Sequence, residues 1–482
     1  MTPHDRSTPL VPEETAARGK RPIASRHVWL LIAFAFTVMA DPISSVAYAI
    51  EAALRALQGN LGLLLPTMAL VIVVIALVTI NYHQLVARFP EGGGAAAAAG
   101  AALGEAWAFL PIGALVVDFV LTIAISVAAS ASAIIAYFPT LAPLRLLLAL
   151  GLLLVVGGLT WFGHGGRTLF ALMTLAFVGI GVALLVGGWL GVTAAPVSEQ
   201  SQPSGSGGTL SAVVAVSLAF PVAMALATGV EAPSSAIAQL GQLDQRGRRR
   251  FGQITLWLTL GIVGTLTLGL TMLAVALGIG IPPANSTQVA EVARAVGSPP
   301  LFALFQLTTT LLLLSAASSS FQAGPGLLKA LARQVHASGQ TQGILPTWMG
   351  RINRHYTPYW GVVLYTGISA LVLVAVGAQD QELVLFYAVA VFVSFLVGLL
   401  AMAHFSFVEH KRLSLVVNVL GAIAVGFTLV MNLLRGWPLL SLGAAAGIAA
   451  ALYMLWVRAG CPRGIASAVQ QAEVIVSLHE EE

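Results

Sequence analysis

Three carboxylic acids lie deep inside stretches that are otherwise almost wholly apolar. They are Asp41 in "ADPISSVAYAIE", Asp118 in "DFVLTIAIS" and Glu231 in "FPVAMALATGVEAPSSAIAQL". An ionisable group at bilayer depth is costly and marks an ion or proton pathway unless a partner accounts for it. Each acid travels with hydroxyls. Ser44, Ser45 and Tyr48 follow Asp41 at helical spacing, Thr122 and Ser126 repeat Asp118 at i+4 and i+8, and Thr228 stands three residues before Glu231. Tyr387, in "LFYAVAVF", adds a phenol. Oxygen groups of this kind suit hard cations, and carboxyls can also carry protons. Asp41, Ser44, Ser45, Tyr48, Thr122, Ser126, Thr228, Glu231 and Tyr387 are therefore candidates for binding a substrate or cation. Asp41, Asp118 and Glu231 are candidates for proton coupling.

Each feature also has a structural alternative. Asp41 before Pro42 fits an N-cap followed by proline at the first helical position. Thr122 and Ser126 fit bonds to the carbonyl four residues back, or glue between helices. Glu231 fits a structural partner of a polar group on another helix, and Tyr387 fits packing or interfacial anchoring.

Two of the acid-bearing stretches contain helix breakers as well: Pro42 in the first, and Pro221, Gly229 and Pro233 in the sixth. Proline removes a helical hydrogen bond and clashes with the preceding turn. Broken backbone at membrane depth is tolerated only where it lines a cavity or is buried in protein. Two interrupted spans, five apart, match transporters built from inverted repeats with the site at the breaks.

The surrounding composition requires a bilayer. Of 482 residues 58% are hydrophobic and 9% charged, against roughly 25% charged in soluble domains; mean hydropathy is +0.90. The chain reads as an all-α polytopic membrane protein of about 12 transmembrane helices, a five-plus-five inverted repeat with broken helices 1 and 6. The spans fall near 28–57, 61–88, 104–136, 143–162, 168–194, 209–240, 252–280, 299–334, 359–378, 382–408, 413–433 and 437–457. The expected organisation is a cytoplasmic arm (1–27), a transporter domain (28–457) and a short cytoplasmic tail (458–482). Within the domain, one repeat covers about 28–194, the second about 209–408, and two further helices about 413–457. The stretch "APVSEQSQPSGSGG" reads as a flexible linker, and "EGGGAAAAAGAALG" as either a flexible reentry or a small-residue packing surface.

With a cytoplasmic N-terminus, nineteen of the 23 Lys and Arg residues fall inside and four outside, a bias that places both termini in the cytoplasm of a cell-membrane protein. The net charge of +4 is scattered among loops, which argues against nucleic acid. A single cysteine, Cys461, excludes an internal disulfide framework. No HExxH or GxSxG motif points to a membrane-embedded hydrolase. An ion channel would need a symmetric filter from several subunits. Neither an enzyme nor a bound cofactor is expected.

At this point the residues resemble a family. "YHQLVARFPEGGG" and "ATGVEAPSSAI" are similar to the cytoplasmic loop and broken sixth helix of the amino acid–polyamine–organocation (APC) superfamily of secondary transporters. Asp41-x-x-Ser44-Ser45-x-x-Tyr48, "DFVLTIAIS", "TGVEA" and "LFYAVAVF" resemble most the Kim-type bacterial potassium–proton symporters, over roughly residues 28–410. The resemblance implies roles in potassium binding and coupling for Asp41, Tyr48, Thr122, Ser126, Thr228, Glu231 and Tyr387. Members usually carry a long cytoplasmic C-terminal regulatory domain, whereas about 24 residues follow Arg458 here. The eighth span, "LSAASSSFQAGPG", lacks the acidic residues expected from relatives.

A zwitterionic substrate needs backbone N–H groups to hold its carboxylate. At Ala40-Asp41-Pro42 the proline has no N–H, the acid repels, and no glycine occurs between residues 28 and 58. That favours a cation. The expectation is potassium import driven by inward proton movement, with a proton-coupled amino-acid permease as the alternative. Expected partners are potassium, protons and the lipid bilayer, without nucleic acid or any metal beyond the transported cation; a homodimer stays open.

Overall fold

The computed structural model describes residues 23–163, 167–191, 209–240, 243–332, 343–436, 438–462 and 464. The described residues are helical, without strands. The first span comprises α1 (Ile23–Val38), α2 (Ala40–Ser44) and α3 (Val46–Ala56), followed by α4 (Leu61–Arg88), α5 (Gly94–Leu103) and α6 (Phe109–Tyr137). Next come α7 (Arg145–Trp161), α8 (Arg167–Trp189), α9 (Thr209–Ala223), α10 (Ala232–Ala236) and α11 (Gln245–Ala276). The rest is α12 (Gln288–Val296), α13 (Pro299–Ala332), α14 (Tyr359–Ala375), α15 (Asp380–Val408), α16 (Arg412–Leu433) and α17 (Leu439–Arg458).

Among the described residues, ten helical segments are long and apolar enough to cross a membrane. Two further expected spans are the interrupted α1–α3 and the 17-residue α14, which rises roughly 25 Å at 1.5 Å per residue. Their ends agree with hydropathy to within a few residues, with one informative exception. The seventh span begins at Gln245 rather than near 252, because Asp244 accepts a hydrogen bond from the Gly247 N–H at 2.8 Å and caps the helix. The basic run "QRGRRR" is thus helical, not loop. A short helix, α12, also forms between the seventh and eighth spans, capped by Thr287, whose side chain accepts from the Ala290 N–H at 3.3 Å.

The small-residue stretch after α4 is α5, with Ala95–Ala99 buried and packed against α15, so the packing alternative holds there. The proposed linker at 195–208, the N-terminal arm to residue 22 and the tail from 465 lie outside the described residues.

The core is centred on α6, which packs against α13, α15, α17 and α7. At the periphery Leu147, Leu154, Leu172, Leu413 and Leu420 are exposed, as lipid-facing positions should be. Where α6 meets α17 the backbones approach so closely that a Cβ at Gly113 would lie 2.5 Å from the Ala445 carbonyl oxygen. Small residues permit such contacts between helices in a bilayer. Gly113→Val is therefore expected to lower the melting temperature, at a cost of about 1–3 kcal/mol. Gly151→Val, on an exposed face with nothing within 4 Å, should leave it unchanged in the same detergent melt.

Candidate functional site

The two interrupted spans are interrupted differently. In the sixth, α9 gives way to a 3-10 turn (Met224–Ala227). Thr228 is then extended (φ −62°, ψ 143°) and Gly229 left-handed (φ 76°), before α10 begins with Pro233 in its first turn. The Ser234 hydroxyl donates to the Glu231 carbonyl at 2.7 Å and steadies the restart. This helix is truly unwound.

The first span bends without unwinding. Met39 (φ −72°, ψ −10°) and Ser45 (φ −65°, ψ −22°) stay right-handed. The bonds Met39 N–H to Ala35, Ile43 N–H to Met39 and Ala49 N–H to Ser45 carry the helix through. Asp41 is therefore not an N-cap: α2 starts before it, Met39 holds the cap position, and no side-chain cap bond forms. Pro42 sits inside a nearly continuous helix and denies its N–H to the turn above. A backbone that never leaves the right-handed region needs no glycine, in keeping with the glycine-free first span.

The spans meet at Gly229. A Cβ there would lie 2.8 Å from Asp41 Cγ and Oδ2 and from Pro42 Cδ, so the glycine is required by both its dihedral and the contact. The Ser45 hydroxyl lies 2.6 Å from the Pro42 carbonyl oxygen and 3.1 Å from that of Leu226, linking the bend to the unwound segment.

Beside this crossing is a cavity of about 110 Å³ whose walls include Asp41, Asp118 and Glu231. Thr37, Ser320 and Gln322 contribute further polar groups. Glu231 Oε2 accepts hydrogen bonds from the Tyr82 and Ser394 hydroxyls, each at 3.0 Å. Asp41 Oδ1 and Asp118 Oδ1 are buried without a hydrogen-bond partner among the described residues. The cavity extends from the crossing toward Thr37, Leu115 and Ser235, the end at which α1 and α6 begin.

At the opposite end, polar bonds cross-link the helices. Asp380 Oδ1 accepts from the Ser132 hydroxyl at 2.7 Å and lies 3.8 Å from Arg145 Nη1. Arg145 donates to Ser132 Oγ at 2.5 Å and to the Ala284 carbonyl at 2.7 Å. Glu51 pairs with Arg55 at 2.8 Å and accepts from the Gln288 N–H at 3.0 Å. These bonds join α3, α6, α7, α12, α15 and the segment before α12.

The sequence candidates divide accordingly. Asp41, Asp118 and Glu231 line one cavity. Ser44, Ser45, Tyr48, Thr122, Ser126 and Thr228 are all buried but are not among its lining residues. The hydroxyls of Ser44 and Thr228 donate to the carbonyls of Asp41 (2.6 Å) and Ala225 (2.9 Å). Ser126 Oγ is buried without a partner among the described residues. Tyr387 falls within α15, but its side chain lies outside the described residues. Tyr82, Ser394, Ser320 and Gln322 are not among the sequence candidates. Tyr82 had a signal, the polar run "NYHQ" closing an apolar helix; Ser394 is a lone hydroxyl and had none.

Residues 27–457 match the family described as Amino acid permease. The chain belongs to that family. It is accordingly a multi-pass membrane protein of the APC superfamily. This permease is 29% identical over 371 residues to a protein of Bacillus subtilis named "Potassium transporter KimA", covering 74% of this chain and 58% of that one. It therefore spans less than two thirds of that relative's length. Among solved structures, the Eremococcus coleocola manganese transporter in complex with an aromatic bis-isothiourea substituted compound is 13% identical, with TM-score 0.44. A mutant of the same transporter is 15% identical, with TM-score 0.45. Each alignment covers 96% of the permease and 100% of the other chain. At that distance they do not bear on the site.

Gly229→Ala is expected to destabilise the permease by about 1–3 kcal/mol and to reduce transport about tenfold or more. Tyr82→Phe, which deletes one of the two donors to Glu231, should weaken transport with little change in melting temperature. Wild-type transport in Gly229→Ala would separate the crossing from function.

Proposed function

We propose that this permease imports potassium together with protons by alternating access, with the ion held at the three-carboxyl cavity. The observation that carries this reading is the convergence of Asp41, Asp118 and Glu231 on about 110 Å³. Two like charges 4 Å apart repel by about 4 kcal/mol at an effective dielectric constant of 20, so a small site with three carboxyls calls for protons or a cation. The orphaned oxygens Asp41 Oδ1 and Asp118 Oδ1 are hard acceptors of the kind an alkali ion takes when it sheds water. With three carboxyls, a cation and a proton bound together relieve this repulsion, and the binding of each favours the other, which is the physical basis of co-transport.

The asymmetry of the two ends supports alternating access. The cavity extends from the crossing toward one end of the bundle, while the Arg145–Ser132–Asp380 and Glu51–Gln288 bonds link the helices at the other. On the charge distribution, the cavity side is cytoplasmic, as are both termini. Thr122, Ser126, Thr228, Tyr48 and Tyr387 are proposed as further ligands as the site rearranges; Ser44 and Ser45 hold the bend at Pro42. The domain reading stands with it: two inverted five-helix repeats at about 28–194 and 209–408, followed by two helices at about 413–457. The potassium-transporting relative agrees with this substrate, while the bent, glycine-free first span offers little to an amino-acid carboxylate.

Rubidium uptake into proteoliposomes under an imposed proton gradient, beside a panel of labelled amino acids, tests the reading. Rubidium should accumulate, and Glu231→Gln and Asp41→Asn should each reduce its uptake by about a hundredfold or more while expression persists. Amino-acid accumulation without rubidium flux would instead support the amino-acid permease reading.

A further inference from the structure

A second cavity, of about 430 Å³, lies between the ends of α4, α11, α15 and α16, on the face that the charge distribution assigns to the cytoplasm. Its size falls within the range of small-molecule sites. Its charged walls are Arg88, Arg249, Lys411 and Glu409, with Gln84 and Gln253 among the polar groups. Arg88 and Lys411 both bond to Glu409, the lysine at 2.8 Å. Those two bonds, Lys411's foremost, hold the Glu409 carboxyl down to about 2. Glu409 is therefore charged at any physiological pH, and the walls keep an excess of two positive charges.

The cations are also arranged. The Arg88 guanidinium stacks 3.8 Å from the centre of the Phe405 ring, a contact that fixes its plane. No side-chain hydrogen bond or ion pair of Arg249 occurs among the described residues. Arg250 and Arg412, next in sequence to two of the lining cations, are both exposed. A topology signal explains which side of the membrane these residues occupy. It does not explain a concave, polar pocket between four helix ends.

We propose that this cavity binds a phosphate-bearing anion, and that its occupancy acts on the transport site through α4 and α15. A phosphate offers the oxygens that arginine and lysine recognise, and basic pockets between membrane helices suit lipid headgroups. The link to transport is structural. Asn81 donates to Asn418 Oδ1 at 3.0 Å, and Asn418 Nδ2 lies 3.0 Å from Gln84 Oε1 and 3.3 Å from Ser406 Oγ, tying α4, α15 and α16 together beside the cavity. The same α4 and α15 carry Tyr82 and Ser394, the two donors to Glu231.

The test titrates the purified full chain, in neutral detergent with phosphatidylcholine at fixed salt, with phosphatidylglycerol and separately with inorganic phosphate. Binding and melting temperature are followed for the wild type, for Arg249→Gln/Lys411→Gln and for Arg351→Gln/Arg354→Gln, which removes two charges elsewhere. At least one probe should stabilise the wild type and lose about tenfold in affinity in the Arg249/Lys411 variant only. Response to phosphatidylglycerol alone identifies a lipid headgroup; response to inorganic phosphate as well identifies a soluble phosphate. Equal binding by wild type and the Arg249/Lys411 variant, an equal loss in the Arg351/Arg354 variant, or no binding of either probe to the wild type overturns the proposal.

Discussion

The crossing of the first and sixth spans leaves no room for a side chain at residue 229, and much of the candidate site follows from that. Gly229 lies against the Asp41 carboxyl and the Pro42 ring, so one span presents bare backbone to the acid of the other. The work is divided between two breakers. Pro42 bends a helix that keeps its right-handed dihedrals, while Gly229 lets the opposing helix leave them. Two unwound helices would have exposed more backbone polar groups at membrane depth, where each is costly. One bend and one break need fewer partners, and Ser44, Ser45, Thr228 and Ser234 satisfy carbonyls nearby.

Charge is then distributed by position along the helices. Near the crossing it is acidic and poorly compensated: three carboxyls share a cavity, and among the described residues only Glu231 accepts from two hydroxyl donors. At the opposite end, acids are matched with Arg55, Arg145 and Arg294. Matched charges hold helices together, whereas unmatched ones call for a mobile partner. This contrast distinguishes the two groups of acids better than depth alone, since Glu51 and Asp380 are as buried as the cavity acids.

Much of the fold was legible because bilayer thickness dictates the length of apolar runs. The misreadings are local. Four arginines near residue 248 suggested a loop and hid a helix whose cap, Asp244, was in plain view. Asp41–Pro42 has the same sequence signature as a cap and as a bend, and only the dihedrals of Met39 and Ser45 decide between them. The acids of the site were legible because each is an outlier in its own helix. Tyr82, Ser394 and Ser320 were not, because a hydroxyl gains its meaning from what a distant helix brings opposite it. The direction of Ser44 and Ser45 was hidden for a related reason: helical spacing gives the face, but not whether the hydroxyl turns back to its own backbone.

The central claim is that the three-carboxyl cavity is a cation site. Anomalous diffraction from crystals of the permease grown with thallium(I), which stands in for potassium, tests it most directly. An anomalous peak bounded by Asp41, Asp118 and Glu231 is expected, displaced by excess potassium and absent in Glu231→Gln. A cavity without such a peak, in crystals whose soaked amino acid occupies it instead, would contradict it.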